Sequence, residues 1–385
     1  MLTPISLASG YGDFAVPAAA LEAAARSLRH LTGPLPVSEA AGAPALREAL
    51  ATRYRQRGAG QVRAEHVLVT PGTKAALFAV LSEVLRPGGA DEVLLPTPNW
   101  FGFRELVRRA GGRLRELPLS AADDYALAPT RLRAAIGPQT RLLLLTNPNN
   151  PTGRLYSATE WAALLAVTRD VPELLVLSDE IYEGITFGPD CAPAAGPAAA
   201  AAYAPAPTLL AQPDPLGQHI VVSGFSKSLA LAGWGLGCVV APPALAAALA
   251  AGQFATTGPV PAPSQAAALA ATEAADAIGA GLCRQLQANR ELLLTGLRAL
   301  PGQPAFEAPL GTYYVFADFT RLLDPALPPP EASARLTAGL AAAGVLAVDG
   351  GTCGAPGFLR LSYAVPAAEL REALRRLATF VGEAR

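Results

Sequence analysis

Ser223-Gly224-Phe225-Ser226-Lys227-Ser228-Leu229-Ala230-Leu231-Ala232-Gly233-Trp234-Gly235-Leu236-Gly237 is the stretch on which fold and chemistry both turn. Small and hydroxylated residues precede Lys227, and an apolar run punctuated by glycine follows it. A lysine in such surroundings is costly to keep charged, so its amine is pushed toward the neutral, nucleophilic form. That form condenses with an aldehyde to give an imine. A lysine snorkelling from the edge of a buried strand has the same local sequence, so the rest of the chain must decide.

Upstream, short apolar strands alternate with helical patterns. Val67–Thr70 breaks at Pro71-Gly72-Thr73-Lys74 and runs into the helical segment AALFAVLSEVL. A strand, a glycine turn and a helix N-terminus present backbone N–H groups and a dipole to an anion, with Lys74 as an added charge; the same pattern also makes an ordinary βα turn. Val93–Pro96 leads into the aromatic-rich Thr97-Pro98-Asn99-Trp100-Phe101-Gly102-Phe103, which lines either a ligand crevice or a core. Arg141–Thr146 ends in the Pro/Gly turn Asn147-Pro148-Asn149-Asn150-Pro151-Thr152-Gly153, and a helix over about 158–169 follows. Leu174–Leu177 runs into Ser178-Asp179-Glu180-Ile181-Tyr182, where a carboxylate at the end of a buried strand needs a cation. The Ala/Pro-rich tract 191–218 reads as an exposed loop or lid edge, and His219–Ser223 is the strand before Lys227.

This alternation predicts a mainly parallel sheet covered by helices on both faces, with every candidate site at a strand C-terminus or a helix N-terminus. Before it lie the apolar Ile5–Ala8, the glycine-flanked turn Ser9-Gly10-Tyr11-Gly12-Asp13, a helix over about 17–30 and an amphipathic helix over 42–57. After it come a long helical region over about 265–300, a strand at 312–316, a helix near 331–343, a strand at 358–363 and a last helix ending near 382. These form a smaller α+β lobe. Arg360, set between Leu359 and Leu361, calls for a carboxylate partner, either a ligand or a structural ion pair.

The 385 residues suffice for two lobes, and 51% hydrophobic with 16% charged residues is a globular composition. A net charge of −1 argues against a nucleic-acid or membrane surface, and no run is apolar enough to span a bilayer. Cys191, Cys238, Cys283 and Cys353 are scattered, and with His30, His66 and His219 they give no metal-ligand spacing. A reducing, cytoplasmic compartment is expected, since the first residues, MLTPISLASGYGDF, do not read as a secretory signal.

NNPTG at 149–153, SDEIY at 178–182, SGFSK at 223–227 and FLRLSYA at 358–364, in this order and at these separations, resemble the fold-type-I, pyridoxal-phosphate-dependent class I/II aminotransferases. The resemblance covers nearly the whole chain and is weakest before residue 40 and across 191–218. It implies an α/β fold with a large lobe built on a seven-stranded sheet (41–275) and a small domain (276–385) joined by the N-terminal segment (1–40). It implies amino transfer between an L-amino acid and a 2-oxo acid, with pyridoxal 5′-phosphate as cofactor, no metal, and a homodimer as the assembly. By resemblance, Lys227 forms the imine with the cofactor and shuttles the Cα proton, and Asp179 keeps the pyridine nitrogen protonated. Tyr182 and Asn150 bond the ring oxygen, Trp100 stacks on the ring, and Gly72, Thr73, Lys74 and Ser223 belong to the cofactor site. Arg360 grips the substrate carboxylate; Gly10, Trp100 and Asn150 also border the substrate.

Two positions depart from the family pattern. Gly235 stands where the family has a phosphate-binding arginine eight residues after the lysine. The segment Leu35-Pro36-Val37-Ser38-Glu39, before Gly42, lacks the tyrosine usually given to the partner subunit's phosphate. Lys74, with the helix dipole behind it, is then the expected carrier of the phosphate charge. The same residues suit lyase, decarboxylase or oxidase chemistry on the same cofactor, or a non-catalytic ligand-binding relative.

Overall fold

The computed structural model describes residues 3–29, 31–86, 88–188, 203–215 and 217–383. The chain opens with β1 (Ile5–Ser6), α1 (Ala18–Arg29) and α2 (Pro44–Gln56). The central part alternates β2 (Val67–Thr70), α3 (Thr73–Val84), β3 (Glu92–Thr97), α4 (Gly102–Arg109), β4 (Arg113–Pro118), α5 (Pro129–Ala135), β5 (Thr140–Thr146), α6 (Ala158–Thr168), β6 (Leu175–Asp179), β7 (His219–Gly224), β8 (Gly237–Val240) and α7 (Pro243–Thr256). There follow α8 (Ala262–Glu273), α9 (Ala275–Arg298), β9 (Tyr314–Asp318), α10 (Pro329–Ala342), β10 (Val345–Leu346), β11 (Val348–Asp349), β12 (Phe358–Ser362) and α11 (Ala367–Glu383).

The large sheet has the order β2-β8-β7-β6-β5-β3-β4. Its pairs are parallel except around β8, which runs antiparallel to both β2 and β7. Both faces are apolar, as a sheet covered on two sides requires. Val67, Val69, Leu143, Leu145, Val176 and Val221 pack into one core, while Leu68, Leu142, Leu144, Leu177, Ile220 and Val222 enter the other, so alternate residues of each strand serve opposite faces.

A third core belongs to the smaller part of the chain. Ile5 and Leu7 join Leu286, Leu293, Leu297, Tyr313, Leu340, Leu361 and Leu377 there, with Tyr182, Ile185 and Phe187 contributed from beyond β6. β1 pairs in parallel with β10, which ties the N-terminus to this lobe, and β11-β12-β9 form an antiparallel sheet that carries Arg360.

Two expectations are corrected. The long helical region is two helices, α8 and α9, meeting at 77° near Ala274. The end of the Ala/Pro tract is not an exposed loop: Ala206, Thr208, Leu209 and Leu210 are buried. They are held in by Glu180, whose carboxylate accepts hydrogen bonds from Thr208 Oγ1 (3.1 Å) and the Leu209 N–H (2.9 Å). Residues 191–202 of that tract, Cys191 included, and Leu216 lie outside the described residues, as does His30.

Candidate active site

The C-terminal ends of β2, β3, β5, β6 and β7 deliver the candidate residues to one edge of the sheet, where open α/β sheets bind ligands. β7 ends at Gly224, and Lys227 follows in the turn beyond it. Its side chain is 7% exposed. Its Nζ donates a hydrogen bond to the Gly10 carbonyl oxygen and sits 3.3 Å from the centroid of the Tyr11 ring. Burial first, then the nearby charges of Arg360 and Lys74, pull its amine down to about 7; only Asp179 opposes them. Near neutrality a large fraction of such an amine is unprotonated and nucleophilic.

Asp179 and Glu180, adjacent at the end of β6, show what a buried carboxylate needs. Glu180 is fully buried and meets Arg57 Nη2 at 3.4 Å, the same guanidinium that pairs with Glu183. Asp179 is 7% exposed, accepts the Ile181 N–H at 3.2 Å, and has no cation of the described residues within 4.0 Å. Burial pushes its carboxyl up to about 7, against the Ile181 N–H and the Lys227 charge. A buried carboxyl lacking a cationic partner fits a protonated pyridine nitrogen.

Arg360 reaches the site from β12 and is 3% exposed. Its Nη1 donates to Asn150 Oδ1 (3.0 Å) and its Nη2 to the Ala8 carbonyl (2.9 Å), and its guanidinium carbon lies 4.1 Å from the Tyr314 ring centroid. Its Nε is buried without a hydrogen-bond partner, and no carboxylate of the described residues is within 4.0 Å. The structural ion pair weighed from sequence is therefore not what Arg360 makes among these residues; a guanidinium left in this state suits a ligand carboxylate.

The glycine turn is at the N-terminus of α3. Gly72 caps the helix with φ +101° and no side-chain cap, so the first N–H groups of α3 have no capping oxygen. Thr73 Oγ1 donates to the Ser223 carbonyl at 3.4 Å, while the Ser223 hydroxyl is turned to the Glu180 carbonyl at 3.2 Å. A Cβ at Gly237 would lie 2.6 Å from Gly72 C and Thr73 N, so β8 packs directly on this turn. Gly235 has φ +63°, and a Cβ built there meets nothing within 4 Å. The space is open, but the backbone is in the left-handed region that an arginine adopts only under strain.

Trp100, beyond β3, packs edge-on to Phe103 at 5.1 Å, and the Lys74 Nζ lies 5.7 Å from the Trp100 ring centroid. Tyr182 bonds the Tyr314 hydroxyl at 2.7 Å, and Gly10 O accepts a second hydrogen bond from Tyr313 Oη at 2.7 Å. The structure thus gathers Lys227, Asp179, Arg360, Asn150, Gly10 and the glycine turn at one sheet edge. Sequence reasoning missed Tyr11, Tyr313 and Tyr314. The Tyr313-Tyr314 doublet at the start of a strand was a visible signal; Tyr11 carried none beyond its glycine neighbours. Lys74 and Lys227 are the only lysines in the sequence, against 28 arginines.

The donor set fits pyridoxal phosphate: an amine lowered toward neutrality, a carboxyl without a cation, a helix N-terminus without a cap, and an indole beside it. Residues 3–377 match the family model described as "Aminotransferase class I and II". The aspartate/prephenate aminotransferase of Thermus thermophilus is 35% identical, over 99% of this chain and 91% of that protein. The aspartate aminotransferase of Rhizobium meliloti is 30% identical, over 97% and 88%. Among solved structures, the Rhizobium meliloti aspartate aminotransferase superposes with a TM-score of 0.86 at 29% identity, over 99% of this chain and 92% of that one. The Thermus thermophilus aspartate aminotransferase with maleate gives 0.85 at 32% identity, over 98% and 92%.

Proposed function

Because the chain belongs to the family of class I and II aminotransferases, we propose that one of its substrates is an acidic amino acid of the aspartate kind, with the corresponding 2-oxo acid. The chain is a pyridoxal-phosphate-dependent enzyme that moves an amino group between an amino acid and a 2-oxo acid. The observation that carries the acidic substrate is the pair of cations about Lys227. Arg360 and Lys74 both press on its amine, and neither has a carboxylate within 4.0 Å among the described residues. A substrate with two carboxylates supplies both counter-charges. The named aspartate aminotransferases support this reading, as does the Thermus structure containing maleate, a dicarboxylate.

When bound, the cofactor supplies an aldehyde for the amino group and a ring that withdraws electrons from the substrate's Cα. Lys227 is the group that takes the aldehyde and afterwards holds the proton removed from Cα; an amine near 7 both accepts and returns that proton at neutral pH. Asp179 keeps a proton on the pyridine nitrogen, its burial making that ion pair strong. Asn150 accepts from Arg360 at its oxygen, which leaves its amide N–H groups free to donate, and with Tyr182 it would hold the ring oxygen. Trp100 would stack on the ring, and the uncapped N–H groups of Thr73 and Lys74 at the start of α3 would hold the phosphate. Arg360 orients the α-carboxylate, and Gly10 borders it. The sequence reading gave the Lys74 ammonium to the phosphate. Its position over Trp100 supports giving it to the second carboxylate, with the phosphate left to the backbone of α3.

Lys74→Ala separates the two assignments. The expected result is a KM for aspartate raised tenfold or more, since a charge-assisted hydrogen bond is worth about 1.5–3 kcal/mol, with the KM for alanine and the cofactor Kd within about threefold of the parent. A raised cofactor Kd with an unchanged aspartate-to-alanine ratio would return Lys74 to the phosphate. A homodimer is part of the proposal, supported by exposed Leu35 and Val37 in the N-terminal segment and testable by sedimentation. So is a cytoplasmic location, which suits the buried thiols Cys238 and Cys353.

A further inference from the structure

Ser228 follows Lys227 directly and is buried. A buried hydroxyl needs partners, and this one finds both in the segment beyond β6 rather than within its own turn. Its Oγ donates to the Ile181 carbonyl at 2.9 Å and accepts the Gly184 N–H at 3.0 Å. The two bonds bracket Tyr182 along the chain. They also reach Asp179, because the same Ile181 gives its N–H to Asp179 Oδ1 at 3.2 Å. Gly184 is held a second time by Tyr203 Oη, which donates to its carbonyl at 3.1 Å. The approach is close: a Cβ at Gly184 would lie 3.0 Å from the Ser228 Cβ and 3.2 Å from Tyr203 Oη, so the glycine lets the two segments touch.

The β6–β7 ladder ends near Glu180, whose N–H is on the Val222 carbonyl. Past that point one turn carries the amine of Lys227 and the other carries Tyr182, and the Ser228 hydroxyl joins the two. We propose that Ser228 is a positioning residue, whose hydroxyl sets the spacing between the Lys227 amine and the side chains of Asp179 and Tyr182. This rests on the transamination reading, in which those three groups hold different atoms of one rigid ring. Such a ring tolerates little error in their spacing, since a misplacement of about 1 Å costs on the order of a hundredfold in rate. The Ser228 hydroxyl is spent on two backbone groups, so it acts through them and not on the substrate.

The test uses the pyridoxal-phosphate-loaded enzyme as Ser228→Ala, Ser228→Cys and Ser333→Ala. Ser333 is the control. It is fully buried and its Oγ likewise joins two segments, accepting the Gly357 N–H at 2.8 Å and donating to Asp349, but in the smaller lobe. The first readout is the pH midpoint of the bound cofactor's visible absorbance. A Tyr182 hydroxyl donating to the ring oxygen favours the deprotonated side of that transition. Loosening it in Ser228→Ala should raise the midpoint by about 0.5 pH unit or more. Arg360, Lys74 and Asp179, the charges that bear on Lys227, are all retained. The second readout is kinetic. The kcat for aspartate should fall about tenfold with KM within about threefold of the parent, because the Arg360 grip rests on Asn150 and Ala8 rather than on Ser228. Ser228→Cys has a similar shape with a weaker donor and acceptor, and should fall between the parent and Ser228→Ala in both. Ser333→Ala should lower Tm and move neither. A midpoint unchanged in Ser228→Ala, or one moved as far by Ser333→Ala, would overturn the positioning role. A parent enzyme without amino transfer from any donor would overturn the transamination reading instead.

Discussion

Replacing Arg360 by lysine keeps the charge and removes the fork. The guanidinium is 3% exposed, spends one Nη1 hydrogen on Asn150 and one Nη2 hydrogen on Ala8, and has a buried Nε with no partner. What remains for a substrate carboxylate is a two-point grip of parallel N–H donors. A lysine ammonium offers one donor in that direction. The loss is thus about one charge-assisted hydrogen bond, roughly 1.5–3 kcal/mol, which corresponds to about a ten- to hundredfold fall in kcat/KM. Arg360→Met removes both contacts and the charge, so its loss is the larger, on the order of the square of that factor. The assay is steady-state transfer from aspartate, with maleate affinity measured by absorbance titration. Both quantities should fall together, because the lost contact exists before the chemical step as well as during it. The bound cofactor's spectrum should be unchanged in Arg360→Lys, which keeps the charge beside Lys227. Arg360→Lys turning over within threefold of the parent, or retaining full maleate affinity, would refute the role given to the guanidinium.

Two further perturbations follow from the same geometry. The Asp179 carboxyl, raised from 3.8 to about 7 by burial, favours the protonated form in the folded chain, so its cost is absent below the unfolded value and is reached in full above about 7. In the cofactor-stripped protein Asp179→Asn should therefore be the more stable at pH 8, by up to roughly 4 kcal/mol, with the gap closing as the pH falls toward 4; a gap in Tm that does not vary with pH would contradict this. Gly235→Arg adds a cation in open space but places it at φ +63°. The expected outcome is a cofactor Kd tightened by about tenfold or more, as one charge-assisted contact provides, together with a lowered Tm, because left-handed strain of about 1–2 kcal/mol weighs on the folded chain with or without cofactor. Gly235→Ala should lower Tm without tightening Kd, and a Gly235→Arg enzyme that binds cofactor no better than Gly235→Ala would refute the open-space reading.

The strands that build the large sheet were legible because they are apolar on both faces and end in turn residues. β4 was not, because Arg113, Arg115 and Glu116 make an edge strand look like a loop. β8 was hidden inside the glycine-rich run after Lys227. The break between α8 and α9 carries no proline or glycine at Glu273-Ala274-Ala275, so periodicity alone ran through it. At the site, Lys227, Asp179 and Arg360 were legible because each is a charged residue in an apolar strand or beside one. The demand that a buried carboxylate meet a cation was right for Glu180, which finds Arg57, and informative for Asp179, which finds none within 4.0 Å among the described residues. Tyr11 was not legible as a site residue, and the Tyr313-Tyr314 doublet, though visible at the start of a strand, did not announce what it joins, since Gly10, the partner of Tyr313, lies 303 positions away along the chain. Likewise the burial of Thr208 and Leu209 answers a need of Glu180 that no local pattern announces.

The central claim is that one amine of this chain captures the cofactor's aldehyde. With only Lys74 and Lys227 in the sequence, borohydride reduction of the pyridoxal-phosphate-loaded protein followed by peptide mass spectrometry tests it with almost no ambiguity. The reduced adduct should be found on the peptide carrying Lys227, and it should be absent when the loaded enzyme has first been treated with an excess of amino donor. An adduct on Lys74 or on the N-terminal amine alone, or none at all, would contradict it.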